Sequence, residues 1–291
     1  MDNTRTSFDD KWRHNEKLAF EETLREGSDI NHWILTRNGF ENGAALRKFL
    51  AAKKRILDAG CGNGRVTALL REHSSPDRTR IVAIDLVAAD IAQRNLARYS
   101  NIEVRQGDLL ENLSGLGQFD FIYCQEVLHH TADPERAFHN VCSLLAPGGE
   151  IAIYVYKQKA PVREFVDHYV RNRIATLSYE EAIKVCEEIT AMGKTLADLR
   201  VEVDMPGVGV LDIPPGRYDL QRLFYHFFMK CFWNDDLSFQ ENAVINYDWY
   251  HPQRSSRHTL PEVESWFGQA GLDIIQTHVD FYGITARGVR R

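Results

Sequence analysis

From Lys54 onward the chain alternates short apolar runs with amphipathic stretches. The segments "RILDAG", "RIVAID", "IEVRQGD" and "FDFIYC" have the length and β-branched content of strands, whereas "RVTALLREH" and "AADIAQRNLARY" carry helical spacing. Strands separated by helices of this length predict βαβ units and a parallel sheet. The next helix has start and stop signals. Asp133 can cap it, Pro134 suits the first turn, Ala137, Phe138, Val141, Leu144 and Leu145 share one face, and "PGG" ends it. "EIAIYVY", residues 150 to 156, is a fifth strand.

Beyond Tyr156 the alternation stops. Ser178 with Glu181 forms a capping box, and Leu220, Leu223, Phe224, Phe227, Phe228, Cys231 and Phe232 repeat with helical spacing, so this stretch predicts a mainly helical insert. A second capping box, Thr259 with Glu262, opens a helix to about Ala270, and "GLDIIQTHVDFYGITARGV" supplies two final strands. Ahead of Lys54, charge is mixed with Trp12, Trp33 and Phe40, as in helices lying on the protein body. The expected divisions are residues 1–50, 51–156, 157–258 and 259–291.

Composition narrows the class of protein. With 44% hydrophobic and 26% charged residues, the 291-residue chain is folded rather than disordered. A net charge of -6 makes nucleic acid an unfavoured partner. No run approaches the roughly 20 apolar residues of a membrane helix, and the polar N-terminus lacks a signal-peptide core, so a cytoplasmic location and no membrane contact are expected. The cysteines Cys61, Cys124, Cys142, Cys186 and Cys231 are odd in number and form no C-x-x-C pair, which predicts reduced, buried thiols. No H-x-x-x-H or paired-carboxylate motif points to a metal.

The densest chemical signal is "LDAGCGNG", residues 57 to 64. Glycines between a strand and a helix let a ligand approach backbone that a Cβ would block, at a helix N-terminus. The dinucleotide fingerprint G-x-G-x-x-G is not met, because Arg65 stands where its last glycine would be. The stretch instead resembles the first motif of the class I S-adenosylmethionine-dependent methyltransferases, D-x-G-x-G-x-G. "AIDL", "QGDL", "FDFIYCQEVLHH" and "LLAPGGEIAI" follow in that family's order, and the likeness runs from about Lys54 to Tyr156 and weakly over the C-terminal residues.

The resemblance implies a Rossmann-like α/β sheet with helices on both faces, N-terminal helices and the helical insert as a substrate cap. It also implies S-adenosyl-L-methionine as cofactor, held by Asp58, Gly60, Gly62, Gly64, Asp85, Leu86, Asp108, Leu109 and Gln125. Asp85 takes the place of the ribose ligand and Asp108 that of the adenine ligand. A proton-bearing acceptor would need a base near neutral pKa, which makes histidine the candidate type. His129 and His130 follow the fourth strand at the ligand-binding edge of the sheet; His251 and His258 lie in the dense segment "NYDWYHPQRSSRH". Glu126, Tyr247, Tyr250 and Arg254 are candidate substrate contacts.

The expected function is methyl transfer to an O, N or C nucleophile of a small molecule. The alternatives are alkyl transfer to tRNA or protein and a non-catalytic cofactor-binding role. The sequence assigns no oligomeric state.

Overall fold

The computed structural model describes residues 2–291. The chain divides into two compact units. One holds Trp12–Lys157 and Ser256–Arg291; the other joins the N-terminal segment, up to Lys11, with Gln158–Ser255. Helix α1 (Thr4–His14) crosses the division.

The larger unit contains α2 (Phe20–Leu24), α3 (Asp29–Arg37), α4 (Gly43–Leu50), β1 (Arg55–Ala59), α5 (Arg65–Glu72), β2 (Arg80–Asp85), α6 (Ala89–Asn95), β3 (Ile102–Gln106), β4 (Phe119–Gln125), α7 (Pro134–Cys142) and β5 (Leu145–Tyr156). After the insert it resumes with α12 (Leu260–Gln269), β8 (Leu272–Val279) and β9 (Gly283–Arg290). Its seven strands run in the order β3-β2-β1-β4-β5-β9-β8. β1 to β5 are parallel, while β9 pairs antiparallel with both β5 and β8.

Successive strand residues point to opposite faces, and here both faces are apolar because helices cover both. Leu57, Val82, Ile122 and Ile151 pack with Phe138, Val141, Trp266 and Phe267 of α7 and α12. Their neighbours Ile56, Ile81, Phe121 and Ala152 pack with Ile34, Leu35, Leu46 and Leu50 of α3 and α4. The chain reverses its lateral progress between β1 and β4, so the carboxyl ends of these strands form the crevice where open α/β sheets bind ligands.

Residues 12–50 cluster with the sheet rather than standing as a separate cap. The cause is local: the Asn63 amide donates to the carbonyls of Glu16 (3.2 Å) and Leu18 (3.0 Å), and Phe20 joins a core with Ala68, Ala83 and Leu96. Strand β5 also starts earlier than its apolar run, at Leu145, with a shift of register between Phe119 and Phe121 of β4.

The smaller unit is mainly helical: α8 (Pro161–Ile174), α9 (Tyr179–Asp198), α10 (Leu220–Phe227) and α11 (Phe239–Tyr250). It adds an antiparallel pair that the sequence pattern does not disclose, β6 (Glu202–Met205) with β7 (Gly216–Asp219). The helical spacing extrapolated through Phe232 fails after Phe227. Beyond it, Asn246 and Asn242 of α11 accept from the Phe232 and Asn234 amides (both 2.8 Å), so side chains replace the helical ladder there. The capping boxes at Ser178 and Thr259 form, and so does an unforeseen one at Ser238 with Glu241. All five cysteines are buried and unbridged. Among the described residues, no helix is long and apolar enough to cross a membrane.

Candidate functional site

The glycine turn leaves β1 with the amides of Gly60 and Cys61 both donating to the Ile84 carbonyl (2.8 and 2.9 Å). Gly60, Gly62 and Gly64 have φ of +88°, +52° and +87°, conformations that side chains disfavour. A Cβ at these positions would lie 2.2 Å from Val127, 2.6 Å from Trp12 and 2.9 Å from Leu96. The turn is therefore squeezed between the loop after β4, α1 and the end of α6. Asn63, fully buried, bonds the N-terminal segment from inside it.

Asp58 lies beneath the turn, 2% exposed, and accepts from the Thr67 hydroxyl at 2.6 Å. Burial raises its pKa to about 7; the Thr67 bond opposes the shift and the nearby Asp85 charge adds to it. Its observed bond fastens α5 to β1.

Asp85, at the carboxyl end of β2, organises the other side of the turn. Its Oδ2 accepts from Gly62 N (2.9 Å) and its Oδ1 from Val87 N and Ala88 N (both 2.9 Å). Oδ2 thus keeps acceptor capacity beside the glycine backbone. The next residue, Leu86, is half-buried, and its carbonyl accepts from the Gln106 amide (2.9 Å). Asp108 forms an Asx turn through Oδ1 to Leu110 N (2.9 Å), next to buried Leu109.

The carboxyl end of β4 carries a group of charges that the sequence alone does not assemble. Glu126 has φ +64°, a left-handed conformation unusual for its type. Its carboxylate meets Arg65 Nη2 at 3.2 Å and Arg37 Nη1 at 3.8 Å. Arg37 is 1% exposed; its guanidinium stacks 3.6 Å above the Trp33 ring and 4.6 Å from that of Tyr154, and donates to the Tyr123 hydroxyl at 3.3 Å. Its Nε finds no hydrogen-bond acceptor among the described residues. Two guanidinium groups thus share one carboxylate at the sheet edge. No periodicity marks Arg37, which reads as an ordinary basic residue at the end of an amphipathic helix.

Gln125, at the end of β4, is engaged within the protein. Its side chain forms a reciprocal amide pair with Asn38, which places it as a brace for the end of α3. His129 is fully buried and stacked on Tyr156, with ring centroids 3.7 Å apart. His130 is the more accessible neighbour, 4.3 Å from the His129 ring and edge-on to Tyr156. Ser256 N donates to the His129 carbonyl (2.8 Å), tying the resumed chain to this loop.

The remaining candidates are each engaged in contacts within the protein. His258 is buried, with Nδ1 2.9 Å from Glu262 and Nε2 2.8 Å from Ser256 Oγ; both nitrogens hold the start of α12. His251, Tyr247, Tyr250 and Arg254 belong to the helical unit. His251 Nε2 donates to the Leu177 carbonyl (3.1 Å), its Nδ1 faces Ser7 Oγ (2.9 Å), and its ring stacks on Tyr247. Tyr247 and Tyr250 are fully buried, the latter with its hydroxyl 2.7 Å from Asp167, so neither forms the wall of an open pocket. Arg254 pairs with Asp2 at 2.6 Å and pins the N-terminal segment. The rings of His251, His258, Tyr247 and Tyr250 are thus engaged by packing or by hydrogen bonds within the protein.

Burial pulls the His251 pKa below 6.5, the direction that favours the neutral ring in the folded state. The unfolded chain then binds the proton more readily, so this residue's stabilising contribution is complete above about pH 6.5 and declines as pH falls below it. Urea titrations at pH 7.5 and 5.5 are expected to show a larger loss for wild type than for His251→Gln. Equal losses would contradict the assignment. Among the described residues no group of histidine, cysteine and carboxylate side chains is placed to hold a metal ion.

Comparison with known proteins agrees with this geometry. A profile described as a methyltransferase domain matches residues 35–277. An uncharacterized protein of Synechococcus, syc1184_c, is 40% identical over 119 residues, which cover 38% of this chain and 28% of that protein. The ubiquinone biosynthesis O-methyltransferase of Coxiella burnetii is 30% identical over 101 residues, covering 34% of this chain and 42% of the relative. The matched stretches thus span less than half the length of these relatives. A chain in the complex of the Haloferax volcanii Trm112 methyltransferase activator with a methyltransferase has the same fold, with a TM-score of 0.50 at 12% identity over 99% of this chain and 98% of that one. With its seven-stranded sheet, its glycine turn and a family profile over most of its length, the chain belongs to the class I S-adenosylmethionine-dependent methyltransferases.

Proposed function

We propose that the protein transfers a methyl group from S-adenosylmethionine to a nucleophile on a small molecule. The observation that carries this reading is the convergence of the glycine turn, Asp85, Asp108 and the Arg37–Glu126–Arg65 group at the sheet edge around β1 and β4. The donor set fits the cofactor. Asp85 Oδ2 can accept from ribose hydroxyls and Asp108 from an adenine amino group. The second cation beside Glu126 suits the carboxylate of the methionine part, with Glu126 facing its ammonium.

When bound, the cofactor supplies an activated methyl on a sulfonium. This chain's task is to orient the acceptor in line with it, exclude water and, for an acceptor that must lose a proton, take that proton. His130 is assigned the last role because it follows β4, is more accessible than His129 and lies beside the stacked His129 and Tyr156 rings. His130→Gln is expected to lower kcat about 100-fold or more while leaving cofactor affinity unchanged. An unchanged kcat would remove His130 from the mechanism.

The small-molecule reading is favoured over tRNA or protein by the charge of -6 and by the Coxiella relative's name. The test is to incubate the protein with methyl-labelled donor and a cell extract divided into metabolite, RNA and protein fractions. Label in the acid-soluble metabolites is expected. Label confined to precipitated RNA or protein would overturn the substrate class.

A further inference from the structure

The helical unit buries a group of cationic side chains around Trp249 and Tyr225. Arg163 of α8 is 1% exposed, and its Nε donates to Asp167 at 3.1 Å. That carboxylate is already saturated. It also accepts from the Trp249 indole (2.8 Å) and Lys230 N (2.9 Å), and the Tyr250 hydroxyl lies 2.7 Å away. Lys230, 6% exposed, sends its ammonium over the Trp249 ring at 4.9 Å rather than onto a carboxylate. The next acidic side chain, Asp248, is 3.0 Å from the buried Lys11. The Tyr225 ring lies 4.5 Å from Arg163, and the half-buried Arg222 approaches the same ring at 5.7 Å. Arg163 Nη1 and Arg222 Nη1 are both buried and without an acceptor among the described residues.

Lys11 with Asp248 and Arg163 with Asp167 form direct ion pairs, whereas Lys230 and Arg222 meet no carboxylate at ion-pair distance among the described residues. A buried cation without a counter-charge is costly, and a guanidinium nitrogen without an acceptor adds to the cost. We propose that Arg163, Arg222 and Lys230 form a binding site in the helical unit for an oxyanion, the carboxylate or phosphate group of a small molecule. Two guanidinium edges and an ammonium match the planar and tetrahedral forms of such a group, and half-buried Arg222 is the most accessible of the three residues.

The charges around Lys230 give the site a signature that surface adsorption lacks. Its ammonium faces Asp248 of α11, Arg163 and Asp167 of α8 and Lys11 of α1, while its charge reaches Cys186 of α9. Burial dominates and brings its pKa down to about 7. At pH 8 the ligand-free side chain is mostly neutral, so an arriving anion draws a proton onto it.

Calorimetry of the full chain at pH 8, with sodium phosphate and sodium acetate as separate probes against sodium chloride at equal ionic strength, tests the site. Saturable heat is expected with at least one oxyanion, with proton uptake approaching one per site when buffers of different ionisation enthalpy are compared. Phosphate alone would identify a phosphoryl group as the ligand, and acetate alone a carboxylate. Lys230→Met is expected to abolish proton uptake and weaken binding at least tenfold. Arg222→Gln, at a half-buried position, provides the same readout if Arg163→Gln does not fold. Heats equal to those of chloride for both probes, or binding and proton uptake that survive Lys230→Met, would overturn the proposal.

Discussion

Asp85→Ala is expected to weaken S-adenosylmethionine binding by about 10- to 100-fold, the equivalent of roughly 1.5 to 3 kcal/mol for charge-assisted hydrogen bonds. The substitution acts twice. It removes the acceptor assigned to the ribose, and it leaves the amides of Gly62, Val87 and Ala88 without their carboxylate. A fall in melting temperature therefore accompanies the loss of affinity. Asp85→Asn separates the two effects, because its amide oxygen can still accept from one side of the turn while the charge is gone. Calorimetric affinities for both variants check this: the Asn form should retain most of the thermal stability and still lose affinity. Wild-type affinity in both would contradict the assignment.

Gly62→Val is expected to eliminate detectable cofactor binding and also to destabilise the ligand-free protein. At φ +52° a β-branched residue is strained, and its Cβ would meet the Trp12 ring at 2.6 Å. The turn excludes side chains for reasons internal to the fold as well as for a ligand. Trp12→Ala isolates the ring's share. In that background, Gly62→Val should cost less stability than in wild type, with a non-additivity of about 1 kcal/mol or more in a double-mutant cycle measured by urea unfolding. Simple additivity would mean that backbone strain alone sets the penalty.

Most of the sheet unit is legible in the sequence because its local signals agree. Apolar runs of strand length, capping residues such as Asp133 and Thr259, and the glycine turn all specify the same alternation. The β6–β7 pair is not legible, since Glu202–Met205 and Gly216–Asp219 are short and largely polar and pair across a proline-containing loop. The end of α10 is equally hidden. Cys231 and Phe232 keep helical spacing by coincidence, while Asn242 and Asn246, distant in sequence, satisfy the extended backbone.

At the proposed site, the residues that depend on neighbours in sequence are legible: the three glycines form the strand-to-helix turn, and Asp85 and Asp108 bond nearby backbone amides. Residues whose role depends on tertiary neighbours are not. Arg37 gains its meaning from Glu126, Tyr123 and Tyr154, and Asn63 from the carbonyls of Glu16 and Leu18. The same holds for the candidates in the helical unit. The dense segment around His251 resembles a reactive patch because aromatic, basic and imidazole groups crowd together, yet crowding is also what a buried packing cluster requires. The side chains of Tyr247, Tyr250 and His251 are spent on one another, on Asp167 and on the N-terminal segment.

The measurement that bears most directly on the central claim is calorimetric titration of ligand-stripped protein with S-adenosylmethionine and S-adenosylhomocysteine, in wild type and Asp85→Ala side by side. Saturable binding of both compounds at one site per chain, weakened 10- to 100-fold by the substitution, is the predicted result. No binding of either compound by folded wild-type protein would contradict it.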